Sequence, residues 1–286
     1  GRAAVAVLDA DERLFCEVVD VDTPRDELAY RVERLLALHQ HHTSVVDANR
    51  IVEENAELLR QIATQERQAR KTKSAAIFAL SKLAESRDPE TGEHLARMRE
   101  YCLALARVLA AHPKFSAQLT PTWIESLCEA SPLHDVGKVG IPDRILLKPG
   151  PLTAEEFEIM KAHTTIGADT LHEVARDFPG NEFIDLGVEI ARHHHERWDG
   201  TGYPHRLAGE QIPLSARILA VGDVYDALTS RRVYKDAFSH AESRKLIVNG
   251  RGSQFDPDVV DAFLACETEF IVIRAQFVDM PKTLIS

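Results

Sequence analysis

Hydrophobic positions along this chain change their period several times, and those changes mark out its elements. Apolar runs over residues 3–8 and 14–19 flank the stretch Asp9 to Glu12, which predicts two short strands joined by a turn. From Asp26 to Leu38 the spacing of Leu28, Val32, Leu35, Leu36 and Leu38 becomes helical, with Thr23-Pro24 as a start signal. Residues 1–43 therefore read as a small α/β fragment, too short to be an independent domain.

Between Ser44 and Arg87 Gly and Pro disappear and Glu, Gln, Arg and Ala dominate. Val45, Ala48, Val52, Asn55, Leu59 and Ile62 follow alternating steps of three and four, the pattern of a short coiled-coil seam in which Asn55 would set register. An amphipathic helix packed on its own domain is the competing reading. Helical character continues through Ile77, Leu80 and Leu83 until Asp88-Pro89 breaks it. The remainder, residues 88–286, reads as almost entirely helical, with helices near 91–111, 122–137, 154–177, 183–196, 214–229, 239–248 and 257–266. The stretch 269–277 has the composition of a strand. Two turn-rich loops, 140–153 and 199–213, are placed to frame a site. The expected architecture is all-α: a helical bundle over 88–286, a linker helix over 44–87, and the α/β fragment over 1–43.

Composition narrows the function. With 286 residues, 44% of them hydrophobic, the chain can bury a sizeable core. No stretch approaches the roughly 20 apolar residues that span a bilayer, and no basic-then-apolar leader opens the sequence, so a cytoplasmic protein is expected. Cys16, Cys102, Cys128 and Cys266 are too scattered for a disulfide framework or a thiolate zinc site. A net charge of −11 argues against binding long nucleic acid, which requires neutralised phosphates, but leaves room for a small phosphorylated ligand held by local Lys and Arg.

The chemistry is concentrated in a few polar residues set in half-apolar helical stretches. Glu90 and His94, four apart, project from one helix face, although such a pair is more often simply solvated. His134 and Asp135 sit in Leu133-His134-Asp135-Val136-Gly137-Lys138, whose flanking apolar residues imply burial. On a helix they diverge by about 100°, which suits an imidazole on one ion and a carboxylate bridging to a second. The competing reading is a helix end in which Asp135 pairs with Lys138. His163 alone is an ordinary histidine, but His193-His194-His195-Glu196 cannot turn three imidazoles to one environment, and two of them read as ligands. Asp223 and Asp226 lie on an apolar helix, where carboxylates need a cation or strong donors. Imidazole with carboxylate and no thiolate points to Fe, Mn, Zn or Ni rather than to a zinc–thiolate or all-oxygen site.

The segments Leu133 to Asp143 (LHDVGKVGIPD) and His194 to Pro204 (HHERWDGTGYP) resemble the signature of the HD-GYP family, a branch of the HD phosphohydrolases that cleaves cyclic di-GMP. The resemblance runs from about Leu80 to Cys266 and includes Lys148-Pro149-Gly150, the run Asp223 to Ser230, and Phe255-Asp256-Pro257. It implies an HD-domain helical bundle. It also implies two or three divalent ions, Fe or Mn in preference to Zn, Ni or Mg, on His94, His134, Asp135, His163, His194, His195 and Asp223, with Glu90 at the position of a third-metal ligand and Asp135 as the bridging group. Lys138 matches a lysine near the scissile phosphate, Arg232 and Lys235 match phosphate-binding positions, and Tyr203 belongs to a loop tied to substrate handling and to contact with cyclic-di-GMP synthases. In Gly202-Tyr203-Pro204 the bland role is a tight turn fixed by Pro. Two residues depart from the family pattern: Arg206 stands where Gly is usual and Val233 where Pro is usual.

The resemblance implies hydrolysis of a 3'–5' phosphodiester of cyclic di-GMP by water activated between the ions, giving pGpG, and GMP where the linear product also fits. Catalysis is assigned to Asp135 and Lys138, and a homodimer through the N-terminal helix is expected. A phosphodiesterase for cyclic GMP-AMP and a non-catalytic nucleotide-binding module are the alternatives. Residues 1–43 are slightly similar to the last part of a receiver domain.

Overall fold

The computed structural model describes residues 2–8, 14–20, 23–86, 93–230 and 237–277. The chain divides into two compact units, Gly1–Thr72 and Lys73–Ser286.

The expected α/β fragment over 1–43 is not present, and this corrects the fold class. Its supposed helix is the first turns of α1 (Arg25–Glu85), 61 residues long. No Gly or Pro in the stretch His39 to Thr43 stops that helix. Among the described residues, what stands before α1 is an antiparallel pair, β1 (Arg2–Leu8) and β2 (Leu14–Asp20), in register from Arg2 opposite Asp20 to Leu8 opposite Leu14. Two strands alone do not make a layered α/β unit.

The second unit is all-helical among its described residues. Its centre is α2 (His94–Ala110), against which pack α3 (Pro121–Ala130), α7 (Leu214–Thr229), α9 (Pro257–Ala265) and α10 (Glu267–Gln276). Tyr101 of α2 stacks on Phe270 at 4.4 Å between ring centroids, and Tyr225 and Phe263 close the same cluster edge-on. Helix α5 (Ala154–Asp177) packs along α6 (Glu182–His193), and short α4 (Asp143–Leu146) and α8 (His240–Asn249) complete the set. Local chemistry sets several starts. The Thr153 hydroxyl accepts from the Glu156 amide while the Glu156 carboxylate accepts from the Thr153 amide, and Ser239 and Glu242 repeat this capping box before α8.

Two other elements differ from expectation. The predicted strand at 269–277 is helix α10. Phe270 and Ile273 are buried while Ile271 and Val272 are exposed, a spacing of three rather than two, so packing on α2 overrides β propensity. The helix expected over 122–137 stops at Ala130, because Pro132 supplies no amide to continue it, and residues 131–133 and 136–140 form 3-10 turns.

Candidate metal centre and substrate cleft

The break after α3 places His134 and Asp135 between two tight turns rather than on an α-helix, with Asp135 at φ −103°, ψ 7°. The second turn lies directly on α5. A Cβ at Gly137 would stand 1.9 Å from the His163 carbonyl oxygen and 2.5 Å from the Gly167 nitrogen, so only glycine allows the backbones this close. That approach brings Asp135 to His163. His194 and His195 enter from the turn that ends α6, and His94 from the first residue of α2.

These side chains form two adjoining groups of potential metal ligands. Asp135, His163, His194 and His195 each present an atom within 4.8 Å of the others, as do Glu85, His94 and His134. The Asp135 carboxylate divides between them. Its Oδ1 lies 3.3 Å from His163 Nε2 and 3.7 Å from His194 Nε2, and its Oδ2 lies 3.2 Å from His134 Nε2 and 2.8 Å from the Lys138 ammonium. Asp223 Oδ1 stands 3.9 Å from His94 Nε2 at the rim.

Hydrogen bonds behind the rings set their tautomers. Nδ1 of His134 donates to the Ser131 carbonyl, Nδ1 of His163 to that of Met160, and Nδ1 of His194 to that of Ile190, at 2.9, 2.7 and 3.0 Å. His94 Nδ1 donates to Asp226 at 2.8 Å, and the Arg97 guanidinium grips the same carboxylate through two nitrogens. Each Nε2 is thereby the nitrogen aimed inward, with a lone pair to offer when its imidazole is neutral. Yet His94 and His134 bring their Nε2 atoms to 3.5 Å, and His163 and His194 to 3.4 Å, while Asp135 Oδ1 is buried with no hydrogen-bond partner. Nitrogen and carboxylate donors converging in a largely buried site fit a divalent cation.

Electrostatics support neutral imidazole ligands on one side. Burial lowers His163, lowers His194 far more, and takes His195 to about 3. Burial pushes His134 down as well, but the adjacent Asp135 carboxylate outweighs it and raises that imidazole to about 9. Asp135 opposes the cost of its own burial with Lys138 and His134, which hold its carboxyl well below the usual range.

The centre opens into a cleft of about 980 Å³, at the upper end of the roughly 300–1,000 Å³ typical of small-molecule sites. Phe157, Lys161 and Thr165 of α5 form one wall, and the loop carrying Tyr203 and Arg206 forms another. The Tyr203 ring lies 4.8 Å from the His195 ring and edge-on to Phe157, with the Lys161 ammonium 5.6 Å from its centroid. Gly202 is obligatory, since a Cβ there would meet the Arg197 nitrogen at 2.4 Å. The Tyr203-Pro204 peptide is cis.

Among the residues singled out in sequence, His94, His134, Asp135, His163, His194, His195, Asp223 and Lys138 converge, with Tyr203 on the cleft wall. Glu90, Arg232, Val233 and Lys235 lie outside the described residues. His193 stands apart from both ligand groups, its Nδ1 3.8 Å from the Glu196 carboxylate. Sequence reasoning missed Glu85, which looks like any solvated acid on a charged helix, and Arg97, whose place one turn after His94 was the available signal. It also missed Glu196, whose buried carboxylate accepts from the amides of His205 and Leu207 at 2.7 and 3.1 Å and so pins the loop.

A buried histidine–aspartate pair set in a helical bundle defines the class, and the chain belongs to the HD domain family, whose model matches residues 78–259. The chain is 54% identical, over 78% of its length, to a cyclic di-GMP phosphodiesterase of Vibrio cholerae. It is 44% identical over 66% of its length to one of Thermotoga maritima, and 40% identical over 73% to a 3'3'-cGAMP-specific phosphodiesterase of Vibrio cholerae. It spans 45%, 48% and 38% of these relatives' own lengths. With Gly202-Tyr203-Pro204 folded beside the histidines, the chain falls in the HD-GYP branch of that family. None of the described helices is long and apolar enough to cross a membrane.

Proposed function

We propose that this domain is a metal-dependent phosphodiesterase that opens cyclic di-GMP to pGpG. The observation that carries the proposal is the group formed by buried Asp135, His163 and His194 with half-buried His195 beside a cleft of nucleotide dimensions. In this reading His163, His194 and His195 would hold one ion and His134 and His94 a second with Asp223 at its rim, with the Asp135 carboxylate shared between them. Glu90 is kept as the resemblance's candidate third-site ligand. Iron or manganese suits such a nitrogen and oxygen set. When bound, the ions supply Lewis acidity that lowers the pKa of water and neutralises charge on phosphoryl oxygens.

The chain's own groups do the rest. Asp135, kept ionised by Lys138 and His134, would keep the two ions together, and the Lys138 ammonium beside it stabilises charge gathering on equatorial phosphate oxygens. Water adds its oxygen to phosphorus and gives up a proton to solvent in the cleft, the bond to O3' breaks, and the departing O3' takes a proton from solvent. Tyr203 and Phe157 offer faces for a guanine, while Lys161 supplies positive charge along the cleft with Arg232 and Lys235 as further phosphate contacts. The names of the relatives support the dinucleotide assignment, and one of them keeps cyclic GMP-AMP as a second substrate to test.

Val45, Val52, Leu59 and Ile62 are exposed along α1 at heptad spacing, which supports a homodimer through that helix. The loop at Tyr203 remains the candidate contact for a cyclic-di-GMP synthase. The deciding experiment is anaerobic purification, reconstitution with Mn(II) or Fe(II), and chromatography of products from cyclic di-GMP and cyclic GMP-AMP. Formation of pGpG, abolished by Asp135→Asn, is expected. Binding without turnover under every metal condition would sink the proposal.

A further inference from the structure

Helix α1 ends inside the metal centre. Its last residue, Glu85, is 6% exposed, although the rest of the helix is rich in solvated charge. The carboxylate offers an oxygen within 4.8 Å of ligand nitrogens on His94 and His134. Adjacent ligand atoms around an ion with bonds near 2.0–2.2 Å stand about 3 Å apart, so a small contraction completes the set. The approach to this point is anchored. Ser74 donates to Glu129 of α3 at 2.8 Å, the Lys73 ammonium pairs with the same carboxylate at 3.0 Å, and Ser81 is buried. From Ser74 to Glu85 the helix rises about 16 Å, leading directly from that anchor to the histidines.

We propose that Glu85 is a ligand of the ion held by His94 and His134, so that occupancy of this one site depends on the position of the last turn of α1. The inference rests on the reading of these clusters as metal sites. It adds a route for regulation: a carboxylate about 5 Å from a helix axis moves by about 2 Å when the helix turns by 20°, as much as a metal–oxygen bond. Rotation of α1 therefore releases or restores a ligand without displacing His163, His194 or His195. Linkage requires the reverse as well, so an ion bound at Glu85 must hold the end of α1 in place.

The test uses the full chain, stripped with chelator and titrated with Mn(II) without oxygen. Glu85→Gln, nearly isosteric, is expected to lose one ion per chain or weaken one class of site at least ~10-fold, leaving the tighter class unchanged. Hydrogen–deuterium exchange supplies a second readout that needs no variant: Mn(II) should slow the amides of residues 79–86 in the native chain and not in Glu85→Gln. Unchanged stoichiometry and affinity in a folded Glu85→Gln protein overturns the inference. So does loss of the ion in Glu90→Gln with retention in Glu85→Gln, or native amides indifferent to Mn(II). Absence of cyclic di-GMP turnover alongside an ion count that falls with Glu85→Gln would refute the assigned activity and leave this inference standing.

Discussion

Replacing Arg206 with glycine should move stability and substrate affinity in opposite directions. Arg206 is the one non-glycine residue at positive φ, 57°, among those described, and it lies on the cleft. Its neighbours hold it there: the His205 and Leu207 amides both donate to Glu196, and Asp199 bridges to Ala208. An L-residue in this region carries roughly 1–2 kcal/mol of strain, and glycine removes it. Glycine also adds unfolded-chain entropy of about 0.5–1 kcal/mol, leaving a net gain of about 0–1.5 kcal/mol. In a domain of this size that raises Tm by about 0–6 °C, measurable by circular dichroism. The guanidinium is exposed, so its contact with a phosphate is screened and worth about 1 kcal/mol. That corresponds to a KM for cyclic di-GMP raised about 5-fold at constant kcat. A fall in Tm of several degrees would show that the side chain, not Glu196, sets the loop. An unchanged KM would show that Arg206 does not meet substrate.

Two further substitutions probe the centre from behind. Gly137→Ala forces a methyl against the His163 carbonyl, where neither backbone can yield, so overpacking should cost about 1–3 kcal/mol. Separating Asp135 from His163 should also reduce the Mn(II) bound per chain, read by elemental analysis; full metal content would refute the close approach as the positioning device. Asp226 is raised by burial, but His94 and Arg97 outweigh that and hold it at about 2. Its folded value lies below the unfolded one near 3.9, so its stabilisation is present above about pH 4 and is lost as pH falls toward 2. Asp226→Asn should therefore flatten the loss of stability across that window and, by leaving Arg97 buried without its charge partner, cost about 3–5 kcal/mol at pH 7. Urea titrations at several pH values would show it, and a slope equal to that of the native chain would refute it.

The ligand core was legible because burial and charge conflict at those positions. His134-Asp135 between apolar neighbours and consecutive imidazoles at a helix end have few bland explanations. Glu85 was hidden because nothing around it conflicts: an acid on a charged helix is ordinary until the fold turns it inward. The helix expected through 137 ignored Pro132, and the strand expected near 270 weighed β-branched composition above the three-residue spacing of Phe270 and Ile273 that packing on α2 selects. The α/β reading of 1–43 failed for want of a helix stop, since α1 continues unbroken past Thr43.

The imidazoles of His134, His163 and His194 are tethered to main-chain carbonyls of their own preceding turns, not to groups on the cleft wall. In the proposed function, reactivity and recognition thus rest on separate materials, backbone for one and cleft-wall side chains such as Lys161 and Arg206 for the other. If the proposed activity holds, one cyclic dinucleotide could be traded for another by rewriting the walls while the histidine framework stands still.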